Sequence, residues 1–104
     1  MGHARPKPER LAEKLRQIRL ALGLSQTEML SRLGAEDLIT YHRISDYEIG
    51  KNEPPLMILL QYARAAAVNV EALIDDELDL PDRLPGKVKH DQISGAYNSR
   101  RRTR

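Results

Sequence analysis

Little in this sequence is spaced for bond-making chemistry. His3, His42 and His90 stand far apart, without the spacing of metal ligands. No Ser/His/Asp arrangement and no glycine-rich phosphate loop is present, and there is no Cys to serve as nucleophile, thiolate ligand or disulfide partner. Neither catalysis nor a cofactor or metal is expected. What remains is hydrogen-bonding and charge chemistry. Its carriers are the polar stretch Tyr41, His42, Arg43, Ser45 and Asp46, then Lys51 and Asn52, with Gln26 upstream. A run of Arg100, Arg101, Arg102 and Arg104 forms a second group.

The elements that position these residues follow from periodicity and punctuation. Leu11, Leu15, Ile18 and Leu22 recur at helical spacing, predicting a first helix from Pro8 to Leu22 that Gly23 ends as a left-handed cap. Ser25-Gln26-Thr27-Glu28 has the form of a capping box, so a second helix follows to Leu33, with Met29, Leu30 and Leu33 inward and Gly34 closing it. Thr40 is the expected N-cap of a third helix, Tyr41 to Ile49, with Ile44 and Tyr47 inward and Gly50 ending it. Pro54-Pro55 suits the start of a fourth helix, where a missing amide costs little, with Leu56, Leu59, Leu60 and Ala63 as its apolar stripe. Asn69 is expected to cap a short fifth helix carrying Val70, Leu73 and Ile74. Without Phe or Trp, the core is expected to be aliphatic, with Met29 and Met57 as filler.

The order of anchors resembles a known family. Leu15, Arg16 and Arg19 precede Gly23-Leu24-Ser25-Gln26. Then come Leu33-Gly34, Ile44-Ser45-Asp46-Tyr47-Glu48-Ile49-Gly50, Pro54, and finally Leu59, Leu60 and Ala63. This is similar to the helix-turn-helix core of phage-repressor and Cro-type regulators, the XRE family, over about residues 11–75. The resemblance implies an all-α, five-helix DNA-binding domain and a sequence-specific transcriptional regulator. It implies that helix 41–49 enters the major groove, with Tyr41, His42, Ser45 and Asp46 toward base edges. Gln26, Arg43, Lys51 and Asn52 are then placed for phosphates. It also implies an ion pair between Arg19 and Glu48 joining the first and third helices. A homodimer on a near-palindromic operator follows, since one small reading head covers few base pairs.

Two features depart from the family pattern. Nine residues, Ala35 to Arg43, separate Gly34 from Ile44, a lengthened turn between helices 2 and 3. Leu30 stands where the family places a small residue. A bulkier Leu30 would hold helix 3 outward, and the longer turn would span the gap, bringing Asp37 or Thr40 nearer the groove.

Charge divides the chain. Residues 86–104 carry six bases and one acid, a net +5, which leaves −3 for residues 1–85 of the overall +2. A domain that is not basic overall supports two rival readings: a protein-interaction module on a repressor-like scaffold, or an antitoxin that binds both DNA and a toxin. The organisation expected is a basic arm over 1–7, the helical domain over 8–85, and a basic, disordered tail over 86–104. Leu73, Ile74, Leu78, Leu80 and Leu84 look surplus to a core of this size. Helix 5 with Leu78-Asp79-Leu80 is the expected dimer surface, the alternating stretch offering a short strand. No apolar run is long enough to span a membrane and no signal peptide is seen, so a cytoplasmic location is expected.

Overall fold

A computed structural model of the chain describes residues 7–86. Among these residues five helices are defined: α1 (Leu11–Leu22), α2 (Gln26–Arg32), α3 (Tyr41–Glu48), α4 (Leu56–Ala66) and α5 (Glu71–Ile74). No strand occurs among the described residues, so the all-α expectation holds. The expectations for residues 1–6 and 87–104 lie outside the described residues.

Helix α1 is the base on which the others sit; it packs against α3, α4 and α5, while α2 packs on α3. Its buried face is Leu11, Leu15, Ile18 and Leu22, as the periodicity demands, but Lys14 lies on the same face and is fully buried. The Lys14 Nζ donates to the carbonyls of Ala72 at 2.8 Å and Asp75 at 2.9 Å. An ammonium placed there satisfies carbonyls at the end of α5 that have no partner within the helix.

Helix α1 begins at Leu11, three residues later than its apolar pattern suggests. Its N-terminal amides are capped from a distance rather than locally. Asp76 accepts from the amides of Glu9 at 2.9 Å and Arg10 at 3.0 Å. Arg10 answers by donating to the carbonyls of Asp76 and Leu78 and to the Asp79 carboxylate. Residues 75–84 thus form a strap that crosses the start of α1 and then buries Leu80 and Leu84.

Chain punctuation works as expected at three helix ends. Gly23, Gly34 and Gly50 are left-handed, with φ of 73°, 67° and 80°. At each, the next residue's amide reaches back five residues: Leu24 to Arg19, Ala35 to Leu30 and Lys51 to Asp46. Ala67 does the same at the end of α4 with φ 56°, a conformation that strains a residue with a Cβ. Thr40 occupies the N-cap of α3 without a side-chain cap bond. Asn69 acts only through its backbone carbonyl, toward the Ala72 amide, with Val70 at the cap position of α5.

Three core expectations need correction. The buried stripe of α4 is Ile58, Leu59, Tyr62, Ala63 and Ala66, while Leu56 is 82% exposed and Leu60 only half-buried. Met57 is exposed and is not filler, whereas Met29 is fully buried. The core is not purely aliphatic, because Tyr47 and Tyr62 are in it and Tyr62 is among its largest members. Leu73, Leu80 and Leu84 also belong to it, so of the five surplus apolar residues only Ile74 and Leu78 face outward.

The strap makes a pH prediction. Its hydrogen bonds to the Glu9 and Arg10 amides hold the Asp76 carboxyl below its ordinary value of 3.8. A depressed folded-state value stabilises the fold above about pH 4, and that contribution is lost as pH falls through the folded value. Asp76→Asn should therefore lower stability at neutral pH and flatten its fall below about pH 4, as read by urea unfolding over a pH series. An acid limb as steep as in the parent would show that the clasp does not contribute.

Candidate nucleic-acid interface

The candidate interface comprises α2, the long turn and α3. Helix α2 starts at a complete capping box: the Ser25 hydroxyl accepts from the Glu28 amide at 3.0 Å, and the Ser25 amide donates to Glu28 Oε1 at 2.8 Å. That contact holds the Glu28 carboxyl below its usual range. Gln26 is therefore fixed at the first turn of α2, half-buried, where its Nε2 lies 3.5 Å from Glu48 Oε1.

The connection Leu33–Thr40 is not slack. Leu38 and Ile39 both donate to the Ala35 carbonyl, at 2.9 and 3.0 Å, and Ala35 is fully buried. Glu36, Asp37 and Leu38 are exposed on its outer side. Leu30 and Ile44 are buried in one continuous core, so the bulk of Leu30 is accommodated between α2 and α3.

The orientation of α3 is set by Arg19. Its Nε and Nη2 grip the two Glu48 oxygens at 2.6 and 3.0 Å, and its Nη1 donates to the Leu24 carbonyl at 3.0 Å. The two side chains are 13% and 3% exposed. The bond to Glu48 raises the Arg19 guanidinium above its already high value. One side chain thus ties α1, the turn before α2 and the last residue of α3. The implied pair is present, and it is bidentate. Tyr62 lies beside it, and burial pushes its phenol well above its ordinary value. Among the described residues the Tyr62 hydroxyl has no hydrogen-bond partner.

The residues singled out for contact divide into two groups on this platform. Tyr41, His42 and Arg43 are exposed, and the rings of Tyr41 and His42 stack with centroids 4.1 Å apart and planes at 28°. Lys51 and Asn52 are also exposed, just past Gly50. Ser45 and Asp46 are only half-buried rather than fully outward. Asn52 brings two of the sets together. Its Nδ2 donates to Asp46 Oδ2 at 3.3 Å. With the amide turned over, it instead accepts from Arg43 Nη1 at 3.2 Å and donates to the Lys51 carbonyl at 3.1 Å. Asn52 therefore pairs with Asp46 in one orientation of its amide and with Arg43 and Lys51 in the other.

Sequence reasoning missed Lys14, Asp76 and Tyr62, which hold the platform rather than touch a ligand. For Lys14 a signal existed: it falls three residues after Leu11 and four before Ile18, inside the apolar stripe of α1.

Two outcomes test the platform. Arg19→Ala or Glu48→Ala should each cost about 3–5 kcal/mol, because either leaves a buried charge unpaired. A double-mutant cycle on urea unfolding should show coupling above about 1 kcal/mol, and additive losses would mean that the two side chains do not interact. Tyr62→Phe should leave stability unchanged or raise it by up to about 1 kcal/mol, since a buried hydroxyl without a partner is removed. A loss larger than that would reveal a bond to the hydroxyl.

Searches for similar curated proteins and for similar solved structures found no match. A helix-turn-helix family model matches residues 15–73, a span that runs from the core of α1 to Leu73 of α5 and includes Arg19, Gln26, all of α3 and Glu48. The chain belongs to the XRE-type helix-turn-helix family of DNA-binding regulators.

Proposed function

We propose that this protein binds a specific double-stranded DNA sequence as a homodimer and represses or activates transcription from it, with α3 as the reading helix. The observation that carries the reading is the exposed start of α3. Tyr41, His42 and Arg43 project from a helix whose far end is clamped through Glu48. Side chains at the start of the second helix of this motif meet base edges in the major groove. The stacked Tyr41 and His42 offer a methyl-packing face together with ring donors and acceptors. Arg43, with Lys51 and Asn52 after the helix and Gln26 at the start of α2, supplies the phosphate contacts. Ser45 and Asp46, half-buried, take a smaller share of base contact.

Dimerisation is part of this reading, because a single module buries too little DNA for specificity. The surface for it is the outward Ile74 and Leu78 with Leu56, which lies on the same side as Ile74 in a groove also lined by Leu11 and Leu59. Leu80 stays in the core. The second reading, a protein-interaction module, draws on the exposed Glu36, Asp37 and Leu38 of the long turn.

Selection of bound sequences from a random DNA pool tests the proposal. The full chain should enrich a sequence with two related half-sites. Tyr41→Ala or His42→Ala should relax preference at one or two base pairs, costing about 1–3 kcal/mol each on the preferred site. Lys51→Ala should weaken all sequences alike and reduce the salt dependence by roughly one ion. Unaltered preference in both the Tyr41 and His42 variants would sink the assignment of α3.

A further inference from the structure

Tyr41 and His42 are the first two residues of α3, and their rings stack with centroids 4.1 Å apart and planes at 28°. Consecutive residues of a helix do not face one another, so helix geometry alone does not bring these rings together. The contact is set by the side-chain torsions, and at the opening of a helix no preceding turn restricts them. Nothing else competes for the rings. Among the described residues, neither the Tyr41 hydroxyl nor a His42 ring nitrogen makes a hydrogen bond to the protein. Each ring is therefore oriented by the other.

What the stack covers and what it leaves open differ in kind. A stacked pair meets through its ring faces, which are withdrawn from water on that side. The ring edges stay uncovered, and Tyr41 as a whole is 48% exposed. The imidazole edge carries both nitrogens, one a donor and one an acceptor in the neutral ring. Base edges in the major groove are read through donors and acceptors at fixed positions, so recognition needs that imidazole edge at a defined angle. An exposed histidine without a neighbour samples several rotamers and presents its edge at several angles. The face of Tyr41 restricts that freedom in the free protein.

We infer that Tyr41 is a positioning residue for His42: its ring fixes the plane of the imidazole, and the two side chains discriminate between DNA sequences as one unit rather than as two independent readers. The inference rests on α3 being the reading helix and adds how its first two side chains share the work. Two consequences separate it from simple contact at both positions. The aromatic face of Tyr41 is required for the preference that His42 confers, and the Tyr41 hydroxyl is not. An apolar side chain that cannot stack is no substitute, although it can still pack on a thymine methyl.

The test is selection from a random DNA pool with the full chain and with its Tyr41→Phe, Tyr41→Leu, His42→Ala and Tyr41→Leu/His42→Ala variants. The His42→Ala variant defines the base pairs at which His42 discriminates. At those base pairs Tyr41→Leu should lower the preference about 10-fold or more. Tyr41→Phe should keep it within about twofold of the parent, and the double variant should lose no more than His42→Ala alone. In the DNA-free protein, the ring-proton NMR signals of His42 should lie upfield through the ring current of Tyr41. They should stay there in Tyr41→Phe and move downfield in Tyr41→Leu. A Tyr41→Leu variant that keeps the His42-dependent preference would overturn the inference. So would a further loss at those base pairs in the double variant, or His42 ring signals unmoved by Tyr41→Leu. Equal loss in Tyr41→Phe and Tyr41→Leu would assign the Tyr41 hydroxyl a contact of its own and also overturn it. Should the parent enrich no sequence, the reading of α3 fails and this inference with it. Enrichment by the parent followed by any of the contrary results overturns this inference alone.

Discussion

One guanidinium holds the helix-turn-helix of this molecule in place. Arg19 reaches from α1 to both oxygens of Glu48 and to the Leu24 carbonyl. It joins the helix that anchors the core to the helix that presents Tyr41 and His42. Burying two charges is costly, and replacing such a pair with apolar residues is often neutral or stabilising. The value of the pair is therefore directional. A planar, five-donor group on a carboxylate accepts only a narrow range of angles, and apolar contacts between α1 and α3 would accept many. Gln26, set at the start of α2 by its capping box, approaches the same carboxylate, so both helices of the motif are referred to one point.

That arrangement works only if α1 is itself fixed. Both of its connections to the end of the domain are polar and lie far apart in sequence. Lys14 binds the carbonyls that close α5, and Asp76 caps the amides that open α1. Leu80 and Leu84 then return to the core. Each fully buried leucine contributes roughly 1.5–3 kcal/mol, so apolar burial supplies the stability of the strap while the polar contacts determine where it lies. The strap lies beyond the matched family span of 15–73, and so does the capping of α1 that depends on it.

How much could be read from the sequence depended on the range of the interaction. The capping box at Ser25 and Glu28, the left-handed glycines and the inward faces of α2 and α3 are local rules, and the structure follows them. The Arg19–Glu48 contact is long-range and was legible only through the family pattern. The α4 stripe was misread for a clear reason. Leu56-Met57-Ile58-Leu59-Leu60 is apolar at five successive positions, so periodicity there carries no phase, and the Pro55 start leaves Leu56 and Met57 facing outward. The late start of α1 and the burial of Leu80 were illegible because both depend on Asp76 returning across the molecule. Of the four residues read as outward on α3, Tyr41 and His42 are exposed. Ser45 and Asp46 are more enclosed than a helical wheel implies, each being half-buried.

The start of α3, a helix whose far end Arg19 holds through Glu48, is the face proposed to meet DNA. Backbone amide chemical-shift mapping on the full chain, titrated with the enriched duplex, tests it directly. The largest shifts should fall on residues 26, 41–46, 51 and 52, with the α4 face at Met57 unmoved. Shifts centred on Glu36, Asp37 and Leu38, with Tyr41 and His42 unaffected, would contradict it.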